Sequence, residues 1–311
     1  MKHTLLITGA SGMVGKNIQN VLKSKDISGW NILTPSSKEL NLLNENNVQE
    51  YFYINKPNII LHLAAVCAGI LGNAKAPADF ITKNIIMGTN IYNNCMTYGQ
   101  TEKVYCLGSV CSYPINCPVP FKETDLFNGY PEPTNAAYGE AKRALLVMSQ
   151  AYRQQYNLGG AFFVPVNMFG AYDSFDESKS HVIPALIKKF INATENNLPE
   201  VMCHGTGIAT REFLFAQDCA EVIVDAILNE FDYNDPINLG TGKDISIKDL
   251  AGLIAILTNY HGKIIFNADQ FDGQPKRRLD VSRAQTLLNW TAKTSLEDGL
   301  IKTINWYKAN K

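Results

Sequence analysis

The chain has 311 residues, 46% of them apolar and 18% charged, with a formal net charge of −1. This suits one large α/β domain or two smaller ones around a substantial core, and it excludes the bulk charge that would gather nucleic acid or a membrane surface. No apolar run has the length of a transmembrane helix, and the opening MKHTLLITGAS is too short an apolar run for a signal peptide. The seven cysteines are scattered with no CxxC pair, which points away from a disulfide framework or structural metal and toward reduced thiols in the cytosol.

Along the chain, HTLLITG predicts a strand, and the stretch from Met13 to about Lys23 a helix. NILTPS and NENNVQEYFYINK repeat the pattern, as do NIILHLAA, the long segment Pro77–Gly99 and KVYCLGS. A helix over Asn135–Tyr156 follows from the spacing of Leu145, Met148, Ala151 and Tyr152, and GAFFVPVN is a further strand. Unbroken apolar strands alternating with helices predict a doubly wound, Rossmann-like parallel sheet covered on both faces. After about Gly170 the rhythm loosens into the helices His181–Glu195, Gln217–Glu230 and Ser246–Tyr260, with short strands at REFLFA and PINLG. The expected division is a dinucleotide-binding domain over 1–170 plus about 217–240, with a smaller mixed α/β substrate domain from about 171–216 and 241–311.

TGASGMVG sits between the first strand and the first helix, with Gly9, Gly12 and Gly15 in GxxGxxG spacing. Glycines there permit a tight turn and a close approach to a pyrophosphate, and the helix N-terminus offers free N–H groups. About 20 residues on, where NAD-selective sites carry an acid, the chain reads TPSSKEL. Ser36, Ser37 and Lys38 suit a ribose 2′-phosphate, and Glu39, one residue late, is expected to turn away, so NADPH/NADP+ is favoured over NAD.

Tyr138 and Lys142 lie four apart on one helix face, where the ammonium is expected to lower the phenol's pKa. YxxxK alone is cheap, and Tyr307 with Lys311 repeats it by chance. The Tyr138 copy is distinguished by Ser109, placed before it at the carboxyl end of the fourth strand, the end that faces the cofactor. If the run through LGSVCSYP is a strand, Ser109 and Cys111 share a face.

Together these residues resemble the extended short-chain dehydrogenase/reductase family, with its GxxGxxG loop and Ser–Tyr–Lys triad. The ordered series GMVG, ELNLL, PADF, LGSVCSYP, EPTN, SHVIPALI, REF and DGQPKRRLD is similar to the GDP-L-fucose synthase branch of that family and spans nearly the whole chain. The resemblance implies NADPH-dependent reduction of the carbon-4 keto group of a GDP-4-keto-deoxy sugar, coupled to epimerisation at carbons 3 and 5, in a homodimer. It implies that Tyr138 protonates the carbon-4 oxygen, that Lys142 tunes Tyr138 and binds the nicotinamide ribose, and that Ser109 hydrogen-bonds the keto oxygen. It implies acid–base roles for Cys111 and His181, sugar-nucleotide contacts for Asn167, and a diphosphate grip by Arg211 and Lys276. On the cofactor side it adds Ser11, Met13, Val14, Ala64, Ala65, Pro165, Asn167 and His181 to Gly9 and Gly12.

Several positions depart from that branch. Val66, Cys67 and Ala68 stand where it usually has a lysine and a glycine pair, Ala136 and Ala137 replace a larger acid and a proline, Ala171 replaces a proline, and His204 a tryptophan. The triad is intact while the substrate side is altered. A carbon-4 reductase without epimerisation, acting on a related GDP-4-keto sugar such as a heptose, is therefore the alternative. A non-catalytic NADP(H)-binding protein is the second alternative.

Overall fold

The computed structural model describes residues 3–67, 69, 73, 75–98, 100–176, 180–269 and 273–311, so Ala68 lies outside the described residues. The described strands are β1 (His3–Thr8), β2 (Trp30–Leu33), β3 (Ile59–His62), β4 (Lys103–Leu107), β5 (Gly159–Pro165), β6 (Asn167–Phe169), β7 (Glu200–His204), β8 (Thr210–Phe215), β9 (Ile237–Leu239), β10 (Asp244–Ser246), β11 (Lys263–Asn267) and β12 (Lys276–Arg277). The described helices are α1 (Met13–Lys23), α2 (Glu45–Asn55), α3 (Pro77–Tyr98), α4 (Ala136–Tyr156), α5 (Val182–Glu195), α6 (Ala216–Leu228), α7 (Ile247–Leu257), α8 (Ser282–Leu288) and α9 (Leu296–Asn310). Among the described residues no helix is long and apolar enough to cross a membrane.

The main sheet runs β2-β1-β3-β4-β5-β9, all parallel. Its central strands are apolar on both faces because helices cover both. Leu5, Leu6, Ile7, Ile59, Ile60, Leu61, Val104, Tyr105 and Cys106 are all buried. After β2 the chain crosses back over β1 to form β3, so the strand order reverses between β1 and β3. A doubly wound sheet opens its ligand crevice at that point. Helices α3 and α4 pack together on one face, closely enough that a Cβ at Gly88 would lie 2.0 Å from Leu145 Cδ2.

The run GAFFVPVN, expected as one strand, serves two sheets. β5 pairs with β4 and β9; the Val166 N–H donates to the Leu239 carbonyl; then Asn167–Phe169 pairs with β8. β8 also takes β10 antiparallel and β12 parallel. This second sheet and the separate parallel pair β7–β11 were not foreseen. Their strands are short, and their partners lie far away in sequence. The terminal helix α9 was also not foreseen; it presents Leu300 and Ile304 to a second buried cluster with Ile183, Phe190, Phe213, Leu250 and Ile254. Leu279, Ala284 and Trp290 turn back to the first cluster, beneath the main sheet.

Candidate active site

The crevice begins at the turn after β1. Gly9 has φ +70°, and a Cβ there would lie 2.6 Å from the Ala64 backbone nitrogen. A Cβ at Gly15 would lie 2.5 Å from Ala10 Cα. The turn is therefore closed to any larger residue. Gly12 caps α1 with no side-chain hydrogen bond, and the first turn of α1 carries no acid. Its leading N–H groups have no intrahelical acceptor and a positive dipole end behind them. Ser11 and Gly12 are exposed at this turn, and Met13 and Val14 are half-buried. A pyrophosphate fits such a cradle.

The loop after β3 forms the opposite wall. The Thr8 hydroxyl bonds His62 Nδ1 at 2.9 Å and accepts from the Ala64 N–H at 3.3 Å, so one buried side chain ties both walls together. His62 is a packed residue, 1% exposed. Burial, and then the Lys142 charge, hold its pKa down at about 3, so the ring is neutral. Ala64 and Ala65 are half-buried along this wall, and Cys67 is exposed beyond them.

At the ribose position the loop differs from expectation in one respect. Glu39 does not turn away: Oε2 accepts from both the N–H and the hydroxyl of Ser36, each at 2.8 Å. Those hydrogen bonds hold the Glu39 pKa below its usual value. The physical reason is local: an acid three residues after a serine can close a tight turn onto it. Ser37 and Lys38 remain exposed.

The chemistry sits at the carboxyl end of β4. The strand stops at Leu107, and Val110–Ser112 is a 3₁₀ turn with Ser109 as its N-cap, Oγ accepting from the Cys111 N–H at 3.1 Å. The alternation that would place Ser109 and Cys111 on one strand face therefore does not apply; a turn joins them instead. Gly139 on α4 allows the helix to reach this turn, since a Cβ there would lie 2.5 Å from the Cys111 carbonyl oxygen. Tyr138 is half-buried. Lys142, 3% exposed, donates from Nζ to the Leu107 carbonyl at 2.8 Å and lies 5.8 Å from the Tyr138 ring centroid. Burial lowers the Lys142 pKa. It pushes the Tyr138 phenol well up, aided by the neighbouring Cys67 and Cys111. The expected lowering by the ammonium does not occur: burial dominates, and it favours the neutral phenol.

The remaining residues come from the other side of the crevice. Pro165 is buried at the end of β5, paired with Leu239. Asn167 donates from Nδ2 to the Glu212 carbonyl at 2.9 Å. His181 is itself the N-cap of α5, with no side-chain capping bond, so Ser180 does not cap that helix. Solvent reaches the His181 ring, yet desolvation by its surroundings lowers its pKa. A Cβ at Gly69 would lie 2.9 Å from the Ser180 carbonyl oxygen, so the β3 loop closes against the residue before His181. Register in the second sheet puts Lys276 opposite Thr210 and Arg277 opposite Arg211. Arg211 is 9% exposed and donates to the Thr210 carbonyl. Lys276 is exposed, 3.4 Å from Asp244.

Three residues here were not singled out for a role. Arg277 lay inside a quoted motif, and its Nη1 is 3.5 Å from Cys111 Sγ. Cys67 was noted only as a departure, and it neighbours Tyr138 and Cys111. Asp173 lies just beyond Gly170, where the alternation of strands and helices loosens. Its Oδ2 is buried without a hydrogen-bond partner among the described residues, and burial raises its pKa to about 7. No sequence signal marks a carboxylate that only tertiary packing buries.

A parallel sheet with an uncapped glycine turn at its switch point, and a serine, tyrosine and lysine at the end of β4, defines a dinucleotide-binding α/β protein of the short-chain dehydrogenase type. The chain belongs to the NAD dependent epimerase/dehydratase family, whose model matches residues 5–240. It is 36% identical to a GDP-L-fucose synthase of Escherichia coli (strain K12), covering 100% of this chain and 98% of that protein. A solved GDP-6-OMe-4-keto-L-xylo-heptose reductase from C. jejuni superimposes with a TM-score of 0.90 at 29% identity, covering 100% of this chain and 99% of that one. A GDP-L-fucose synthetase from Naegleria fowleri bound to NADP gives 0.89 at 26% identity, over 100% and 95% of the two chains.

Proposed function

We propose that the protein uses NADPH to reduce the carbon-4 keto group of a GDP-4-keto-deoxy sugar. The observation that carries this reading is the convergence of Ser109, Tyr138 and Lys142 at the end of β4 beside the glycine turn. The full-length likeness to a GDP-L-fucose synthase and to a GDP-sugar reductase supports the substrate class. NADPH, when bound, supplies the hydride. Tyr138 delivers a proton to the carbon-4 oxygen; its raised pKa keeps the phenol protonated at neutral pH, the form a donor needs. Ser109 hydrogen-bonds the same oxygen, and Lys142 holds the ribose side. Gly9, Ser11, Gly12, Met13 and Val14 hold the pyrophosphate, and Ser36, Ser37 and Lys38 the 2′-phosphate. Arg211 and Lys276 hold the diphosphate of the sugar nucleotide, and Asn167 lies between the two ligands.

Epimerisation at carbons 3 and 5 belongs to the same reading. The ketone acidifies those hydrogens. One group takes the proton while its bonding electrons pass into the enolate, and another returns a proton to the opposite face. Cys111, in the turn after β4, and His181, the N-cap of α5, have the chemistry for the two tasks. The second reading is a carbon-4 reductase that leaves carbons 3 and 5 unchanged and takes a larger sugar. The likeness to the heptose reductase favours it, as do the small Ala136 and Ala137 before Tyr138.

The test is NADPH oxidation with GDP-4-keto-6-deoxymannose and with its heptose analogue, followed by deuterium incorporation in D₂O with NADP+. Turnover with exchange at carbons 3 and 5 supports the bifunctional reading, and Cys111→Ser then removes the exchange. Turnover without exchange leaves the reductase alone. Binding of NADPH with no turnover on either sugar overturns both readings in favour of a non-catalytic binder.

The same proposal takes 1–170 with about 217–240 as the cofactor unit, and 171–216 with 241–311 as the sugar-nucleotide unit. It also takes the protein to be a homodimer joined through α3 and α4, where Ile86 and Val147 are exposed apolar residues. Seven free thiols support a cytosolic setting.

A further inference from the structure

The Cys111 sulfur has a neighbour that the family resemblance did not assign. Arg277 Nη1 lies 3.5 Å from Cys111 Sγ, and Arg277 is a buried residue, 6% exposed. It is held on its other edge by Gln274, whose Oε1 accepts from Arg277 Nε at 2.8 Å. Gln274 is itself 4% exposed, and its Nε2 donates to the Ile115 carbonyl at 2.7 Å and the Pro114 carbonyl at 3.3 Å. The hydrogen-bonded chain from the Pro114–Ile115 backbone through Gln274 to Arg277 thus returns to the same turn that carries Cys111. Register locks it as well, since Arg277 pairs with Arg211 across β12 and β8. A buried cation, held by Gln274, ends on the sulfur.

We propose that Arg277 is a positioning residue that hydrogen-bonds the Cys111 sulfur and fixes the direction of its free lone pair, with Gln274 locking the guanidinium. The proposal rests on the reading of Cys111 as a proton-transfer group. In its ionised form the sulfur accepts the guanidinium N–H and keeps a lone pair free for the carbon-bound proton. The sulfur receives the carbon-bound proton as S–H, and the electron pair of the broken C–H bond enters the enolate. The carboxylate of Glu132, 2% exposed, balances the Arg277 charge from behind; its pKa is lowered by hydrogen bonds from Thr134 and Asn135 and by Arg277 itself, against the opposing effect of burial. Around Cys111 the other titratable groups are Tyr138 and Cys67. Arg277 is the cation that touches the sulfur among the described residues.

The measurement is the rate at which iodoacetamide alkylates Cys111 across pH 5.5 to 9, read by mass spectrometry on its own peptide so that Cys67 does not confuse it. Arg277→Gln should slow Cys111 alkylation at pH 7 about tenfold or more, and Arg277→Lys should recover part of it. Gln274→Met, which frees the guanidinium without removing it, should give a smaller loss. NADPH binding checks that each variant is folded, and if Arg277→Gln fails that check, Arg277→Lys and Gln274→Met carry the comparison. In the exchange assay, Arg277→Gln should lose more deuterium incorporation than carbon-4 reduction. Unchanged alkylation profiles in the folded variants overturn the proposal. A slowed profile together with no exchange in the wild-type protein supports the Arg277–Cys111 pair while removing the epimerase reading.

Discussion

The two sides of the crevice are built differently. The cofactor wall is assembled from near neighbours in sequence: a strand, a glycine turn and the helix that follows, with the β3 loop bonded to it through Thr8. The wall proposed to hold the sugar nucleotide gathers Asn167, His181, Arg211, Lys276 and Arg277 from four separated segments. Its anchor is one carboxylate: Glu212, fully buried, accepts from the backbone of Gly242 and Leu279 at 2.7 Å each, and also from that of Thr241. Local chain geometry specifies the first wall, whereas a buried polar hub specifies the second. The cofactor wall should therefore tolerate little change in its turn, and the sugar wall should be free to vary its lining while the hub is kept. The observed departures, at Val66, Cys67, Ala136, Ala137, Ala171 and His204, lie outside that hub.

The sharpest test of this contrast is chemical. Tyr138→Phe should lower carbon-4 reduction by about 10²–10⁴ while leaving NADPH affinity near wild type, because it removes only the proton donor. Near-normal turnover would show that the phenol is not the donor. Next, Gly9→Val should cost about 2–3 kcal/mol of stability from the left-handed backbone and the clash with Ala64. Thermal unfolding measures it, with loss of NADPH fluorescence enhancement as the second readout; a variant that unfolds and binds like wild type would dissolve the idea of an intolerant turn.

A pH-dependent effect, small near neutral pH, belongs to the bridge between the walls. The unfolded chain protonates His62 near 6.5, while the folded chain does so only at about 3. Protons therefore favour unfolding below pH 6.5, and this site contributes its full stabilisation only above that value. The loss should approach about 1.4 kcal/mol per pH unit on the way down toward pH 3. Denaturant midpoints across that window should show the slope in the wild type and a shallower one in His62→Gln. The smallest effect concerns Glu39. Glu39→Ala frees the Ser36 donors and should raise the NADPH-over-NADH ratio of kcat/KM several-fold. An unchanged ratio would mean that Ser36 does not meet the 2′-phosphate.

Much of the first wall was legible before any coordinates. The unbroken apolar runs of β1, β3 and β4 announce a sheet buried on both faces, and GxxGxxG between a strand and a helix announces the phosphate turn, because both depend on contacts within a few residues. Tyr138 and Lys142 were legible for the same reason: a helix dictates that residues four apart share a face. The Ser109–Cys111 relation was misjudged, since an apolar run does not reveal where a strand gives way to a 3₁₀ turn. The side of the turn to which Glu39 folds was likewise decided by a hydrogen bond to a neighbour, not by its offset in the motif.

The sequence by itself determined the Rossmann-like sheet, the phosphate turn and the tyrosine–lysine face, all of which follow from periodicity and short-range backbone geometry. Only the tertiary structure decided that GAFFVPVN divides between two sheets, that Glu212 knots three segments together, and that Arg277 reaches Cys111. These contacts join residues tens to more than a hundred positions apart. What selects them is the cost of leaving buried charges and backbone donors without partners, which exists only once the core has closed.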